Sequence, residues 1–493
     1  MNIYIAVVIG FLAIFVIVGV YVARKVKGAD DFYVMGRNAP AYLIAGTLIA
    51  TNASSVTLIG YTGSAYDIGP LPFVAFYGMT SIASLWLGFH VGRYLWRMKL
   101  WTLPDFFTRR YPSKGVRLIS TIIVIVSMIL YLISVMLGTT VALNNLFGWN
   151  HIISLAVILG VITIFTVIGG MQGVVITDTL MFVVFFVASL FLAPYIISAA
   201  GGWPGALESA SAEMPNFLQW HGENSKFVGI WFLLETNLMS FILVAASPQL
   251  VSRVYIAKSE RTLARSMVLV ACIMPVFVFA LIYVFGLVPL IAPDIVPVDA
   301  YPWVSLNLVP PIIGSIALAG IIAAAMSTAS SLFQQGAAAL SHDLYRGFIK
   351  PNAEGPRFML ISRLAVIVVA IIVFVGALIP QLEALAIVYA FLLASAAWSA
   401  WLPALIGGLL WRRATTTAAL WSMTLGLVAA LVVGFGRQFG YTPAWLPPNI
   451  SGLLVATILL VVISLSGKPS AAEQHAFDGI DRSTLVGRTE KGR

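Results

Sequence analysis

The stretch TLIATNASSVTLIGYTGSAYDIG (residues 47–69) places hydroxyl and amide side chains in the middle of an otherwise apolar segment. Asn, Ser and Thr side chains compete with the helix backbone for hydrogen bonds, so a helix that crosses a membrane is expected to break at such a cluster. Carbonyl groups freed by a break are tolerated in a bilayer only where they line a cavity or bind something. The stretch therefore predicts a discontinuous spanning helix with a binding site at its break.

The composition places this stretch in a membrane protein. Of the 493 residues, 60% are hydrophobic and 10% are charged, whereas a soluble domain carries about 25% charged residues. Apolar runs long enough to cross a bilayer recur from end to end, and a helix is the expected spanning element because it pairs its own backbone groups. We predict an all-α polytopic membrane protein with about thirteen transmembrane helices. The predicted spans are 3–23, 40–69, 73–96, 116–146, 151–170, 175–199, 227–249, 266–291, 305–340, 358–379, 383–411, 416–436 and 449–466.

The basic residues predict the orientation of these spans. All but two of the 28 Lys and Arg residues fall on one side of the predicted topology, in or beside the loops that follow spans 1, 3, 7, 9 and 11 and in the tail. The two exceptions are Lys226 and Arg437, and Arg253 is counted in the loop after span 7. Because cytoplasmic loops carry the excess of basic residues, the N-terminus is expected outside the plasma (inner) membrane and the C-terminus in the cytoplasm. The net charge of +9 is then a topology signal, and no nucleic-acid partner is expected.

Several function classes find no support in the chain. There is no Walker A motif, so uphill transport would draw on an ion gradient. The single cysteine, Cys272, cannot form an intrachain disulfide, and the five histidines are scattered. We therefore expect neither an enzyme nor a bound cofactor, and no obligate protein partner is evident. The expected partners are the lipid bilayer, a small-molecule solute and a coupling ion.

A second polar cluster lies in span 9, in the sequence AAAMSTASS (residues 323–331). Ser327 shares a helix face with Ser330 and Ser331, and Thr328 lies beside them. Na⁺ is a hard cation that takes about five or six oxygen ligands, by analogy with Ca²⁺ and Mg²⁺. Neutral hydroxyls and freed carbonyls can supply these oxygens without a buried fixed charge. The alternative is helix packing, because small residues line many transmembrane interfaces and Ser and Thr often bond to their own helix.

Acidic residues within the spans add a further signal, because ionisable side chains at membrane depth usually mark ion or proton pathways. Asp178, in span 6, is either such a group or a cap at the inner interface. Glu235, in span 7, is either a second buried acid or a side chain that reaches the outer surface. Asp105 and Asp343 lie beside arginines of the inner loops and are expected to fix the cytoplasmic ends of helices.

Five motifs occur in an order and spacing that resemble the sodium:solute symporter family, closest in layout to its pantothenate- and monocarboxylate-type members. They are ADDFYVMGR, LPDFFTRRY, IGGMQGVVITD, PQLVSR and AAAMSTASSLFQQGAAALSHDLY. The resemblance implies a LeuT-type fold, with two inverted five-helix repeats whose first helices, spans 2 and 7, are broken. The implied divisions are a first helix and loop (1–39), the first repeat (40–199), an extracellular loop (200–226), the second repeat (227–411), two trailing helices (412–466) and a disordered cytoplasmic tail (467–493).

The resemblance also implies positions for one or two Na⁺ ions. The first sodium site would use backbone carbonyls together with two hydroxyls. Its residues would be Ala50, Ala53, Ala324, Ser327 and Thr328. The second site, found in members similar to the sialic-acid symporters, would use hydroxyls one turn further along and an acid. Its residues would be Asp178, Ser327, Ser330 and Ser331.

The function implied by the resemblance is Na⁺-coupled import of a small organic solute by alternating access. Sugar-transporting members carry an acidic–amide pair where this chain has Val56 and Thr57, which argues against a sugar. The stretch ATNASSVT (residues 50–57) resembles the one with which sialic-acid members hold a carboxylate, so a carboxylate is the predicted solute. The alternatives are an amino acid such as proline or another neutral solute and, in a different class, a transporter-like sensor. No buried Arg or Lys is expected near the carboxylate. The residues expected to face the solute are Asn52, Ser54, Thr57 and Ser240.

Overall fold

The computed structural model describes residues 2–24, 28–214, 217–220, 229–379 and 387–480. Across those ranges the chain forms helices and no β-strand, and a single β-bridge joins Ala39 to Ala257. From the N-terminus the helices are α1 (Asn2–Ala23), α2 (Ala29–Val34), α3 (Ala41–Asn52), α4 (Val56–Ile68), α5 (Leu71–Arg97), α6 (Leu103–Arg110), α7 (Lys114–Phe147), α8 (His151–Ala199), α9 (Gly202–Glu213), α10 (Gly229–Ala246), α11 (Pro248–Tyr255), α12 (Glu260–Leu290), α13 (Ala300–Trp303), α14 (Pro311–Ile349), α15 (Gly355–Ala377), α16 (Ile387–Ser399), α17 (Leu402–Leu410), α18 (Thr416–Gln438), α19 (Pro448–Ser466) and α20 (Ala471–Asp478).

Eleven helices of the described ranges are long and apolar enough to cross a membrane, or twelve if the bent pair of α3 and α4 counts as one span. The predicted count of thirteen is not confirmed, and the difference lies in α8, which the sequence analysis divides into two spans. A straight helix of 49 residues would be about 74 Å long, more than twice the roughly 30 Å thickness of the hydrocarbon core. Gly170 interrupts the helix with φ 52° and ψ −163°, and a Cβ there would lie 2.6 Å from the ring of Phe32.

Two spans are interrupted, as predicted for spans 2 and 7, the first near its middle and the second closer to its C-terminal end. In the first, α3 ends at Asn52 and α4 begins at Val56, Ala53 adopts an extended conformation, and the two pieces are bent by 54°. In the second, Ser247 is extended and separates α10 from α11, which begins with Pro248. Proline has no N–H to leave unpaired at the start of a helix. Both interruptions free backbone carbonyls in the interior of the bundle.

Helix α14 is buried along most of its length and packs against α1, α3, α7 and α8. It begins with Pro311 and continues with alanine, glycine and serine, whose small side chains allow neighbouring helices to approach closely. The hydroxyl cluster of α14 therefore faces other helices and not lipid. This packing brings it against the break in the first interrupted span.

The predicted disordered tail is wrong for its first part. Ser470 caps helix α20, in which Phe477 is buried, and the Glu473 carbonyl accepts a hydrogen bond from buried Arg110 at 3.4 Å. Burial opposes the charged form of Glu473, but hydrogen bonds from Thr416 and Ser470 hold its pKa below the ordinary value. The polar composition of the tail predicts a solvated segment, but composition does not reveal the hydrogen bonds that cap α20.

Three parts of the predictions lie outside the described residues. They are Lys226, the start of the eleventh predicted span (383–386) and tail residues 481–493.

Candidate functional site

The break between α3 and α4 meets the hydroxyl cluster of α14. The Ser327 hydroxyl is 2.8 Å from the Ala50 carbonyl and 2.9 Å from the Ala324 carbonyl. A hydroxyl has one hydrogen, so Ser327 can donate to only one of these two carbonyls at a time. The Thr328 hydroxyl lies 3.1 Å from the Thr51 carbonyl and 3.5 Å from that of Ala50. The result is a buried cluster with more oxygen acceptors than hydrogens, which is the environment that a cation prefers.

Four of the five residues predicted for the first sodium site thus lie together. The fifth, Ala53, is buried at the break, and its N–H bonds the Ile49 carbonyl of α3 at 2.8 Å. Thr51 was not among the predicted residues, although its carbonyl contacts Thr328. Its hydroxyl also lies 3.3 Å from that of Ser331. The cluster at Ala50, Ala324, Ser327 and Thr328 therefore continues through Thr51 toward the next turn of α14.

The residues predicted for the second sodium site are only partly together. One oxygen of Asp178, Oδ2, accepts hydrogen bonds from Thr47 at 2.7 Å and Ser331 at 3.4 Å. Ser330 instead donates to the backbone carbonyl of Ser327 at 3.1 Å. The other oxygen of Asp178, Oδ1, is buried and has no hydrogen-bond partner among the described residues. The structure therefore pairs Asp178 with Ser331 and directs Ser330 into the backbone of α14.

Arg253 is a correction to the sequence analysis, which counted it in a cytoplasmic loop and expected no buried arginine. Its side chain is fully buried on α11, with Nη2 3.2 Å from Asp178 Oδ2. Nη2 also contacts the hydroxyls of Thr51, at 3.3 Å, and Ser331. Because the chain becomes helical again after Ser247, Arg253 lies on a buried helix and not in a loop. The Asp178 carboxylate and the nearby hydroxyls offset the hydration that its guanidinium loses on burial. The signal was available in Asp178 itself, because an acid inside a span requires a partner.

Glu235 also has a buried partner. Its two carboxylate oxygens lie 3.0 and 2.9 Å from Nη1 of Arg437, and the side chains are only 1% and 4% exposed. The Glu235 backbone carbonyl accepts a hydrogen bond from the Asn449 side chain at 3.0 Å. Arg437 was assigned to the outer surface, whereas here it closes an internal ion pair. Of the two alternatives for Glu235, the structure shows the buried acid, and the ion pair joins α10 to the trailing helices α18 and α19.

A narrow cavity, too tight in this conformation to admit a water molecule, lies beside the first break. Three of the four predicted solute-facing residues line it, together with aliphatic and aromatic side chains. The lining consists of Asn52, Ser54, Val56, Thr57, Tyr61, Phe76, Tyr131, Leu243 and Phe391. The fourth, Ser240, is not in the lining, and it contacts the Phe76 carbonyl at 2.6 Å and the Thr80 hydroxyl at 2.7 Å.

Two polar atoms of the cavity wall, Asn52 Oδ1 and the Tyr61 hydroxyl, are buried without a hydrogen-bond partner among the described residues. An unmatched buried polar group costs about 1–3 kcal/mol, so it commonly marks the place of a ligand. The sequence analysis missed Tyr61 and the other aromatic residues because an aromatic residue in a span is usually part of the packing. Every side chain in the lining is uncharged, so a solute bound here meets hydroxyls, an amide and ring faces.

Comparisons with known proteins agree with this architecture. A family model described as the sodium:solute symporter family matches residues 32–426. The sodium/proline symporter of Escherichia coli (strain K12) is 27% identical over 499 residues, covering 94% of each chain. The osmoregulated proline transporter OpuE of Bacillus subtilis (strain 168) is 25% identical over 517 residues, covering 98% of this chain and 99% of that protein.

Among solved structures, the substrate-bound outward-open state of a Na⁺-coupled sialic acid symporter aligns with a TM-score of 0.81 at 20% identity, covering 95% of this chain and 98% of that one. Mhp1, a nucleobase-cation-symport-1 family transporter in a closed conformation, aligns with a TM-score of 0.58 at 14% identity, covering 91% and 98%. At these identities the likeness shows the fold, which is the predicted LeuT-type transporter fold.

Proposed function

Because the chain belongs to the sodium:solute symporter family, we propose that it imports a small proline-like amino acid together with Na⁺ by alternating access. Na⁺-coupled solute symport follows from the family and the fold. The solute is the part that we propose, and it is the alternative of the sequence analysis, not the carboxylate expected first. The two relatives described above are a sodium/proline symporter and a proline transporter. We also propose the predicted orientation, with the N-terminus outside and the C-terminus in the cytoplasm.

The observation that carries the proposal is the contact between the Ser327 and Thr328 hydroxyls and the backbone carbonyls at the break. These oxygens come from α3, in the first repeat, and α14, in the second. An ion held by both would favour the arrangement in which the two helices are in contact. Solute binding at the same break would then be strengthened by Na⁺, because both ligands stabilise one conformation.

The cavity wall favours a zwitterion over an anion. A carboxylate can be met by the nearby Na⁺ and by the positive end of the α4 helix dipole. An ammonium group can be met by Asn52 Oδ1 and by the faces of Tyr61 and Tyr131. A zwitterion uses both sets of partners, whereas a simple carboxylate leaves the second set without a ligand. A monocarboxylate or pantothenate is therefore the second candidate solute.

The second sodium ion stays a prediction. Arg253 already neutralises Asp178 and contacts the hydroxyls of Thr51 and Ser331, so an additional ion would have to share these groups. The unpartnered Oδ1 of Asp178 is the atom at which it would bind. We propose the cluster at Ser327 and Thr328 as the principal coupling site.

Uptake into proteoliposomes tests the solute and the ion together. An inward Na⁺ gradient should drive accumulation of labelled proline, a K⁺ gradient should not, and excess lactate or pantothenate should compete weakly. Each charge that moves down roughly 100 mV contributes about 2.3 kcal/mol, so transport of a zwitterion with Na⁺ should respond to voltage. Proline that binds without being accumulated would indicate a sensor, and Na⁺-dependent uptake of lactate or pantothenate in its place would select the second candidate.

Variants test the coupling site independently of the solute. Ser327→Ala and Thr328→Ala should each raise the Na⁺ concentration for half-maximal uptake about tenfold, which corresponds to about 1.4 kcal/mol. Ser127→Ala is a matched control, because the Ser127 hydroxyl is buried and its bonds within the described residues stay in its own helix, at Ile123 and Val124. An unchanged Na⁺ dependence in both α14 variants would rule out the site.

A further inference from the structure

Three possible metal ligands meet at the end of α14 that the charge pattern assigns to the cytoplasm. His342 Nδ1 lies 2.9 Å from Asp343 Oδ1 and 3.8 Å from Asp105 Oδ1. One ligand atom from each of the three residues lies within 4.8 Å of the others. Asp105 belongs to α6, which follows the first repeat's α5, whereas His342 and Asp343 belong to α14. None of the three takes part in the solute or sodium sites described above.

The charge of this cluster is not fully matched by hydrogen bonds. Asp343 is 1% exposed, and its Oδ1 accepts a hydrogen bond from Thr102 at 2.9 Å. Its other oxygen, Oδ2, is buried and accepts no hydrogen bond from the described residues. Arg117 lies 3.5 Å from Asp105 Oδ1. In the described ranges it is the only arginine or lysine that forms an ion pair with the cluster. A buried anionic oxygen without a partner is costly, and a bound cation would remove that cost.

The backbone around these residues departs from the α-helical pattern. His342 and Asp343 lie in a π-helical segment, Ala339–Ile349, that continues α14 for 11 residues. π-Helix is frequent at functional sites, but the described ranges contain four other π segments, so the backbone alone does not mark a site. The wider turn places two consecutive side chains beside Asp105 on α6. The segment is thus a second irregular region of α14, far along the helix from the hydroxyl cluster.

We propose that Asp105, His342 and Asp343 form a binding site for a divalent transition-metal ion of the Zn²⁺ class. One imidazole nitrogen and two carboxylate oxygens are a ligand set suited to Zn²⁺, whereas Mg²⁺ and Ca²⁺ prefer oxygen alone. Tetrahedral ligands about 2.1 Å from the ion lie about 3.4 Å from one another. The separations of 2.9 and 3.8 Å bracket that value, so small side-chain movements suffice. Water would complete the coordination, because Asp105 and His342 are 13% and 10% exposed.

A bound ion would connect α6 to the inner end of α14. Alternating access requires the elements of the two repeats to move against one another. A metal that holds α6 and α14 together opposes this motion, so Zn²⁺ supplied from this side should slow transport. The binding of Zn²⁺ itself does not depend on which solute is carried.

Titration of purified, tag-free protein with ZnCl₂ tests the site without any transport assay. Wild type should bind one Zn²⁺ by calorimetry and gain thermal stability that EDTA reverses, whereas MgCl₂ should have no such effect. His342→Gln should weaken Zn²⁺ binding at least tenfold. His90→Gln is the control, because His90 is exposed and lies outside the cluster, and it should bind like wild type.

A labelling measurement on the wild type avoids dependence on any variant's folding. Diethyl pyrocarbonate modifies histidine, and mass spectrometry of the peptides reports each site. Zn²⁺ should protect His342 and leave reactive His475, which is exposed on α20 beyond the last span. Absence of Zn²⁺ binding by wild type, equal binding by His342→Gln, or no protection of His342 would each overturn the proposal, whatever the outcome of the uptake experiments.

Discussion

Each of the two buried ion pairs joins an arginine to a carboxylate, but the groups around the two pairs differ. Arg253 and Asp178 lie 3.2 Å apart, and Arg437 and Glu235 lie 2.9 Å apart, with all four side chains almost completely buried. The first pair contacts hydroxyls of α3 and α14, beside the break and the proposed sodium site. The second contacts the Asn449 side chain through the Glu235 backbone and faces the Tyr389 ring at 5.9 Å. Burial and charge alone therefore do not identify an ion pair that takes part in transport. The groups that contact the pair distinguish the two cases.

This difference leads to a mechanical distinction. The hydroxyls around the first pair can rotate to donate to the carboxylate or to present oxygen to an ion, so the pair can respond to Na⁺. The second pair joins α10 to α18 through the ion pair, and the Glu235 backbone carbonyl joins α10 to α19 through the Asn449 side chain. None of these groups is a hydroxyl that could rotate toward an ion. We therefore expect the first pair to act in coupling and the second to stabilise the packing of α10 against the trailing helices.

The largest expected effect comes from Asp178→Asn compared with Glu235→Gln. Each leaves a buried arginine without its charge partner and should cost about 3–5 kcal/mol of folding stability. Only Asp178→Asn should also raise the half-maximal Na⁺ concentration, by about thirtyfold or more, corresponding to at least 2 kcal/mol. Equal Na⁺ dependence in the two variants, measured by uptake on surviving protein, would remove the distinction between the pairs.

Neutralising both partners of a pair gives the next largest effect. Glu235→Gln combined with Arg437→Gln should recover about 2 kcal/mol or more of the stability lost by either change alone, because no unpaired charge remains. Asp178→Asn combined with Arg253→Gln should recover stability in the same way but not Na⁺-dependent uptake. Thermal unfolding and uptake of the same preparations measure both quantities. Recovery of uptake by the second double variant would show that its charges serve packing alone.

A smaller effect is expected from groups that support each pair. Thr47→Val removes the hydroxyl that lies 2.7 Å from Asp178 and should raise the half-maximal Na⁺ concentration about fivefold, or about 1 kcal/mol. Asn449→Ala removes the bond to the Glu235 carbonyl and should lower stability by about 1 kcal/mol with no change in Na⁺ dependence. A change in Na⁺ dependence with Asn449→Ala would connect the second pair to coupling.

The smallest effect separates two tyrosines. The Tyr61 hydroxyl has no hydrogen-bond partner in the described part of the chain, so Tyr61→Phe should change stability by less than about 0.5 kcal/mol while weakening proline uptake a few-fold. The Tyr389 hydroxyl donates to the Gly434 carbonyl at 2.7 Å, so Tyr389→Phe should lose about 1 kcal/mol of stability and keep the apparent affinity for proline. Unfolding curves and concentration-dependent uptake distinguish these outcomes.

The sequence predicts most of the fold because the signals are local. Apolar length identifies the spans, and the polar stretch before Val56 identifies the first break. The resemblance to the family directs attention to Ser327 and Thr328, which lie against the carbonyls of the break. What the sequence analysis missed depends on tertiary partners. Arg253 follows an apolar run in the sequence and therefore looks like a loop residue. Its burial depends on an ion pair with Asp178, which is distant in the chain.

The same limitation explains Arg437 and the cavity wall. A rule that assigns orientation from basic residues assumes that each of them reaches water, and it cannot show that Glu235 accepts one of them inside the protein. Aromatic residues such as Tyr61 and Phe391 have the same hydropathy whether they pack against a neighbouring helix or face a solute. Only the arrangement of the helices separates these cases.

The capped helix that follows the last span has a practical consequence for anyone who labels this transporter. Arg110 donates to the carbonyls of Gly408, Ala414 and Glu473, so the chain end is fastened to the body of the protein as far as Ile480. A fluorescent reporter or affinity handle should therefore be joined after that residue, and a shortened chain that stops at Gly467 would expose the side chains that Phe477 now covers.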